Sequence, residues 1–384
     1  MRFEFATATR IMFGSGSLAD IGPIARSMGT HALLVTGSKP ERAERLSKLL
    51  EQAGVQSTAF SIAGEPEIST VQRGVALAKQ RACDQVISLG GGSAIDGGKA
   101  IAALLTNPGA VLDYLEVIGD GKPLPQSPAP FTAIPTTSGT GAEVTRNAVL
   151  ASPGHRVKVS LRSQLMLPKV ALVDPQLTLK LPREISAASG LDALTQLIEP
   201  YVSCRANPMT DALCVEGIRR AAQSLRRVCD DGSHLAAREN MALASLFSGM
   251  ALANAGLGAA HGFAGPIGGM FPAPHGAVCA ALLPHVMGAN LRALQSRSPE
   301  NPALARFDEV ARLLTGSPTA TAEAGIQWVQ ALVRDLAIPP LRRYGVTQDQ
   351  LADVVAKAQN ASSMRGNPLQ LTPDELTDVL QASL

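Results

Sequence analysis

Cysteine is sparse in this chain and stands in no pairing pattern. The five thiols, Cys83, Cys204, Cys214, Cys229 and Cys279, lie far apart without any C-x-x-C spacing. That argues against a disulfide framework or a zinc-thiolate site and predicts reduced thiols in a cytoplasmic protein. Aromatics are few, one Trp, three Tyr and nine Phe among 384 residues, so recognition of bases or sugars by ring stacking is not expected. Net charge is nearly absent as well: 34 Lys and Arg against 32 Asp and Glu leave +2, without the basic stripe of a nucleic-acid binder. With 46% apolar residues, intrinsic disorder is excluded. Between Asn240 and Leu291 there is no Asp, Glu, Lys or Arg at all. A membrane span needs about 20 predominantly apolar residues. Ser248, Asn254, His261, Pro266, Pro272, Pro274 and His275 interrupt this run, which therefore reads as a buried helical layer and not as membrane contact. Met1-Arg-Phe-Glu-Phe5 lacks the apolar region of a signal peptide.

What is present is an alternation of short apolar runs with helical patterns, the sign of strand–helix–strand units and a mainly parallel sheet. Strands are expected at residues 32–36, 56–60, 85–89, 131–134 and 170–173. Helices are expected at 41–52, 69–82 and 93–105. Beyond residue 180 the texture becomes helical throughout, including 184–202, 209–228, 234–254, 319–336 and 373–382. Two domains follow: an α/β domain over 1–180 and an all-α domain over 181–384. Phe3-Glu-Phe5 is a candidate edge strand.

Two glycine clusters compete as phosphate cradle. Gly14-Ser-Gly16-Ser-Leu-Ala19 satisfies G-x-G-x-x-A, but no acidic residue stands about 20 positions on to hold a ribose, so a plain structural turn is the better reading. Gly90-Gly91-Gly92-Ser93 directly follows an apolar strand and opens a helix carrying Asp96 and Lys99. Glycines there let backbone approach a pyrophosphate, and helix-start N–H groups attract the anion. A second polar turn, Pro135-Thr136-Thr137-Ser-Gly-Thr-Gly141-Ala-Glu143-Val-Thr145, ends another strand. Ligands in open α/β sheets bind beyond the carboxyl ends of strands, so a dinucleotide site is expected on this edge.

With these motifs the chain resembles the iron-containing (group III) alcohol dehydrogenases of the dehydroquinate synthase-like superfamily, along essentially its whole length. Arg10-Ile-Met-Phe-Gly14, Gly90-Gly-Gly-Ser-Ala-Ile-Asp96-Gly-Gly-Lys99, the Thr-Thr-Ser-Gly-Thr block, Ala171-Leu-Val-Asp-Pro175, Gly190-Leu-Asp192-Ala-Leu-Thr195 and Pro274-His275-Gly276 carry the resemblance. It implies that Gly91, Gly92, Ser93 and Asp96 belong to the pyrophosphate turn, that Thr136 and Thr137 line the adenine and phosphate side, and that Lys158 lies beside the cofactor. NAD-specific relatives place an aspartate after the strand at 32–36. Here Gly37 and Ser38 follow, with Lys39 and Arg42 beyond, so nothing repels a 2′-phosphate and NADP is as acceptable as NAD.

The resemblance also implies a divalent metal, Fe²⁺ or Zn²⁺, whose four ligands map onto Asp192, Gln196, His261 and His275. Positions 192 and 196 share one helix face. The two histidines lie fourteen residues apart, about 21 Å along an unbroken helix, but Gly268-Gly269, Pro272 and Pro274 allow a fold-back that brings them together. Gln196 stands where the family has a histidine, and its neutral carbonyl is a weaker donor, which puts metal occupancy in question. Gly265 replaces a histidine held to relay protons. The expected activity is metal-assisted, NAD(P)-dependent hydride transfer between a small alcohol and its carbonyl, with Asp192, His261 and His275 at the reacting centre. The rivals are a maleylacetate reductase-like enzyme acting on keto or aldehyde acids with dispensable metal, a lyase that regenerates its cofactor within each turnover, and a catalytically silent homologue.

Overall fold

A computed structural model describes residues 2–384, which form two compact units. The first comprises Thr7–Thr137 and Gly141–Leu179. The second comprises Lys180–Leu384 together with Ser138–Thr140 and the N-terminal residues up to Ala6.

The α/β unit is built on six strands: β1 (Arg10–Phe13), β2 (His31–Thr36), β3 (Gln56–Ser61), β4 (Gln85–Gly90), β5 (Phe131–Pro135) and, after a separate hairpin of β6 (Asn147–Ser152) and β7 (Val157–Arg162), β8 (Val170–Val173). Every pairing in the sheet is parallel, in the order β1-β8-β5-β4-β2-β3. Central strands β4, β5 and β8 are buried at every position, which is why they read as unbroken apolar runs and not as alternation. The period of two is still there inside the unit. Leu33, Val35, Val86 and Phe131 face α3 (Ile68–Gln80) and α4 (Gly92–Thr106). Leu34, Ile87, Leu89 and Ile134 face α1 (Ile21–Met28) and α2 (Glu44–Gln52). A further short helix, α5 (Val111–Tyr114), precedes β5.

Strand order reverses between β2 and β4, and such a switch point opens a crevice at the carboxyl ends of the strands. The hairpin was absent from the sequence expectations. Its turn, Pro153 to Arg156, carries positive φ at Arg156 instead of the Asn-Gly or Asp-Gly signal that marks tight hairpins.

The helical unit runs α6 (Arg183–Val202), α7 (Pro208–Asp230), α8 (Leu235–Ala255), α9 (Ala259–Met270), α10 (His275–Arg297), α11 (Ala303–Thr315), α12 (Ala322–Asp335), α13 (Leu351–Gln359) and α14 (Pro373–Ala382). Residues 190–202 of α6 are buried on all sides, as expected of a helix at the centre of its bundle. Helix α10 is long and apolar enough to cross a membrane, but 89% of its apolar window is buried inside the unit. At Gly256-Leu257-Gly258 the chain bends by 97° from α8 into α9, and Gly256 takes φ +73°, which a side-chain-bearing residue rarely adopts. Residues 3–5 form no strand. Ala6 instead exchanges two main-chain hydrogen bonds with the Asn254 carboxamide at the end of α8.

Candidate metal centre and cofactor turn

Three helices deliver the polar cluster of the second unit. Asp192 sits mid-way along α6, His261 in the first turn of α9, and His275 at the first position of α10. The bend before α9 and the Pro272–Pro274 break before α10 accomplish the fold-back, leaving the imidazole rings 5.4 Å apart. Asp192 Oδ1 lies 3.4 Å from His261 Nε2 and 3.6 Å from His275 Nε2. Gly276 makes this possible. A Cβ there would stand 2.5 Å from the Ala188 carbonyl oxygen and 3.3 Å from Asp192 Cβ, so only glycine lets the start of α10 lie against α6.

Asp192 Oδ1 and His261 Nε2 are buried and make no hydrogen bond. Buried polar atoms without partners are rare in folded proteins and call for an explanation such as a bound ion. On its other side His261 is fully provided for. Nδ1 lies 2.7 Å from Glu199 Oε2, while Glu199 Oε1 accepts the Ala260 N–H at 2.7 Å. A carboxylate at Nδ1 keeps the proton there and leaves the Nε2 lone pair directed at Asp192, the arrangement typical of metal-bound histidine.

Electrostatics agree with this reading. Burial alone would push the His261 imidazole down, yet the neighbouring Cys279 sulfur and the Glu199 and Asp192 carboxylates raise its pKa well above the ordinary value. His275 likewise rises to about 9, against burial, under the pull of Cys279 and Asp192. Burial would raise the Asp192 carboxyl, but the charges of His275 and His261 hold it below its usual range. The cluster is a sink for positive charge, and a divalent cation competes for the same lone pairs as protons do. The donor set fits a transition-metal ion.

Gln196, the remaining sequence candidate, is buried one turn after Asp192, and its Oε1 accepts a hydrogen bond from Ser248 at 3.0 Å. Two participants escaped the sequence reading. Glu199 lies seven residues after Asp192 on the same helix face. Cys279 lies four residues after His275, and the ligand atoms of Asp192, His261, His275 and Cys279 all fall within 4.8 Å of one another. Thiol–thiol spacing does not reveal Cys279; the pattern that does is H-x-x-x-C on a helix.

In the α/β unit the turn residues meet at neighbouring strand ends. Thr36 pairs with Leu89 and Gly90 with Pro135, which sets Gly37, Gly91 and Thr136 side by side on the carboxyl edge of the sheet. Thr136 N–H donates to the Gly90 carbonyl at 2.9 Å. Gly91 caps α4 without any side-chain bond, leaving Gly92 and Ser93 in its first turn. Asp96 Oδ2 accepts the Val149 N–H at 3.1 Å, tying α4 to β6. Lys158 on β7 is paired with Glu65 at 3.0 Å. The competing cluster is occupied internally: the Asp174 carboxylate accepts the Gly16 and Leu18 N–H groups at 2.9 and 3.1 Å. A side-chain anion already fills the place a phosphate would take.

The sequence model of the iron-containing alcohol dehydrogenases matches residues 8–175, and that of the family's C-terminal domain matches residues 186–384. A 1,3-propanediol dehydrogenase of Klebsiella pneumoniae is 35% identical over 395 aligned positions, covering 99% of this chain and 98% of that protein. Among solved structures, a 1,3-propanediol oxidoreductase superposes with a TM-score of 0.92 at 33% identity over the whole of both chains. A sulfoacetaldehyde reductase from Bifidobacterium kashiwanohense, solved with NAD⁺, gives 0.88 at 28% identity over 100% of this chain and 99% of its own.

Proposed function

The chain belongs to the iron-containing alcohol dehydrogenase family, oxidoreductases that act on CH–OH groups, and on that premise we propose that it interconverts a small primary or secondary alcohol and its carbonyl compound at the expense of NAD(P). The observation that supports this most is the convergence of Asp192, His261 and His275, with two buried ligand atoms left without hydrogen bonds. When bound, a divalent cation polarises the substrate oxygen and the nicotinamide carries the hydride.

The chain's own residues do the rest. Glu199 keeps the His261 Nδ1 proton in place, so that Nε2 remains a lone-pair donor. Glycine at 276 holds His275 against Asp192. Gly91, Gly92 and Ser93, at the start of α4, present backbone N–H groups to a pyrophosphate, with Thr136 and Thr137 beside them. Gly37 and Ser38 leave the end of β2 without a carboxylate, and Lys39 and Arg42 are exposed nearby, an arrangement that accepts the 2′-phosphate of NADP at least as well as the free hydroxyl of NAD. A Cβ on Gly265 would meet nothing within 4 Å, so α9 offers open space one turn after His261 for the carbon skeleton of the substrate. We read the protein as a cytoplasmic homodimer or larger homo-oligomer.

The test follows nicotinamide absorbance with a panel of short alcohols and aldehydes, before and after chelation and again after refilling with Fe²⁺ or Zn²⁺. Turnover that is lost and then restored is the expected result. Turnover of carboxylated carbonyls that survives exhaustive chelation would replace this reading by the keto-acid reductase one. Cofactor binding without turnover of any panel member would overturn it.

A further inference from the structure

We propose that Cys279 supplies the fourth protein ligand of the cation site, in place of the imidazole that position 196 lacks, giving a carboxylate, two-imidazole and thiolate set suited to zinc more than to iron. The inference rests on the metal reading above and names a donor that reading does not contain.

Geometry carries it. Tetrahedral bonds of about 2.0–2.3 Å set neighbouring donors about 3.5 Å apart. Asp192 Oδ1 lies 3.4 Å from His261 Nε2 and 3.6 Å from His275 Nε2, and Cys279 Sγ lies 3.7 Å from His275 Nε2. Three edges of a ligand tetrahedron are thus already at bonding dimensions, and the remaining ones fall within 4.8 Å. The helix explains why. Residues four apart on α10 stack on one face, so the single close contact of Gly276 with α6 positions both His275 and Cys279.

A buried free cysteine ordinarily behaves as a small hydrophobe. Cys279 is fully buried, but its sulfur stands among an orphaned carboxylate oxygen, an orphaned ring nitrogen and a second imidazole. Cys279 also belongs to the apolar cluster around Phe263 and Leu282, so the polar donors cover only part of its surroundings, and it is they that would stabilise a thiolate bound to a cation. Gln196 by contrast offers a neutral oxygen that already accepts a hydrogen bond from Ser248. Thiolate joined to imidazole nitrogen selects zinc among the common divalent ions, and zinc expands to five donors, which leaves a position for a substrate oxygen.

The experiment compares wild type and Cys279→Ser, each stripped by chelator and refilled with Co²⁺ as a spectroscopic probe. The wild type should show an intense near-ultraviolet sulfur-to-cobalt charge-transfer band that the variant lacks. Zinc affinity, read by competition with a chromophoric chelator, should fall by more than about 100-fold in the variant, since outer partners of ligands alone are worth about 10–100-fold. The double variant Cys279→Ala, Gln196→His should regain zinc affinity without regaining the band. That result separates a lost ligand from a lost fold. Stripped wild type offered equal Zn²⁺ and Fe²⁺ under anaerobic conditions should retain zinc by elemental analysis. Cobalt bound by the wild type without a sulfur band, or unchanged zinc affinity in Cys279→Ser, would overturn the thiolate ligand while leaving the metal site intact. Wild type that takes up neither ion, no differently from His261→Ala, would overturn both readings.

Discussion

Replacing Gly276 by alanine sets two effects of opposite sign against each other. Helix propensity favours alanine by about 1 kcal/mol inside a helix, so on local grounds the variant should be the more stable protein. Packing says otherwise. The added Cβ would stand 2.5 Å from the Ala188 carbonyl oxygen, where ordinary contact begins near 3.4 Å. The start of α10 must therefore retreat from α6 by roughly 1 Å, and overpacking of this kind costs about 1–3 kcal/mol. His275 rides on the same turn, and a shift of that size far exceeds the about 0.2 Å latitude of metal–ligand bonds. We expect apo-protein stability by urea unfolding to fall by up to about 2 kcal/mol, and zinc affinity by chelator competition to fall at least tenfold. A variant that is stabilised, or that binds zinc as tightly as wild type, would refute the claim that this glycine holds the ligands in place.

Removing the Glu199 charge with Glu199→Gln should weaken zinc binding by about 10–100-fold, read by the same competition assay, and should also lower apo stability, because the buried His261 imidazole loses its carboxylate partner. Gly37→Asp is sterically free, since no atom lies within 4 Å of the new Cβ. The added carboxylate should lower kcat/KM for NADP at least about tenfold, about 1.4 kcal/mol, with little effect on NAD, measured by initial rates with each cofactor. Glu143 is buried at the polar turn after β5, and burial raises its carboxyl to about 7 despite the nearby Lys99 ammonium. The folded state therefore holds a proton between pH 4.5 and 7 that the unfolded state has released, and stability is lost as pH rises through that window. Glu143→Gln removes this loss. It should exceed wild type by about 3 kcal/mol at pH 8 and show no gain at pH 4, by urea unfolding at the two pH values. A gain that does not change with pH would refute a carboxyl that titrates there.

Strands β2 and β4 and the helices around them were legible because buried parallel strands are apolar at most positions while their covering helices need only one apolar face. Strand β3, an edge strand exposed or half-buried throughout, is legible only from its place in the alternation. β2 is expected at 32–36 and observed at His31–Thr36, and α4 is expected at 93–105 and observed at Gly92–Thr106. The β6–β7 hairpin was not legible, because its turn is stabilised by a left-handed arginine that no short-range pattern announces. At the metal centre, the family resemblance supplies Asp192 and the two histidines as a ligand set, and the break around Pro272 and Pro274 is what lets the histidines fold back toward one another. The role of Glu199 depends on the direction of one side chain, and the nearness of Cys279 depends on how far α10 approaches α6. Both are products of packing between elements distant in sequence. The Gly14–Ala19 turn shows the same limit from the other side: what fills it is a carboxylate about 160 residues away.

The first strand also constrains the order in which the chain can assemble. β1 pairs only with β8, Arg10 opposite Val170, while β2 to β5 find one another within about a hundred residues. During synthesis at about 5–20 residues per second, β1 leaves the ribosome before its partner and waits on the order of ten seconds for β8 to emerge. Ala6, anchored 248 positions away, waits longer still. A nascent chain halted before Val170 would therefore keep β1 unpaired and open to proteases, and the release of β8 would be the step that gives this strand its partner.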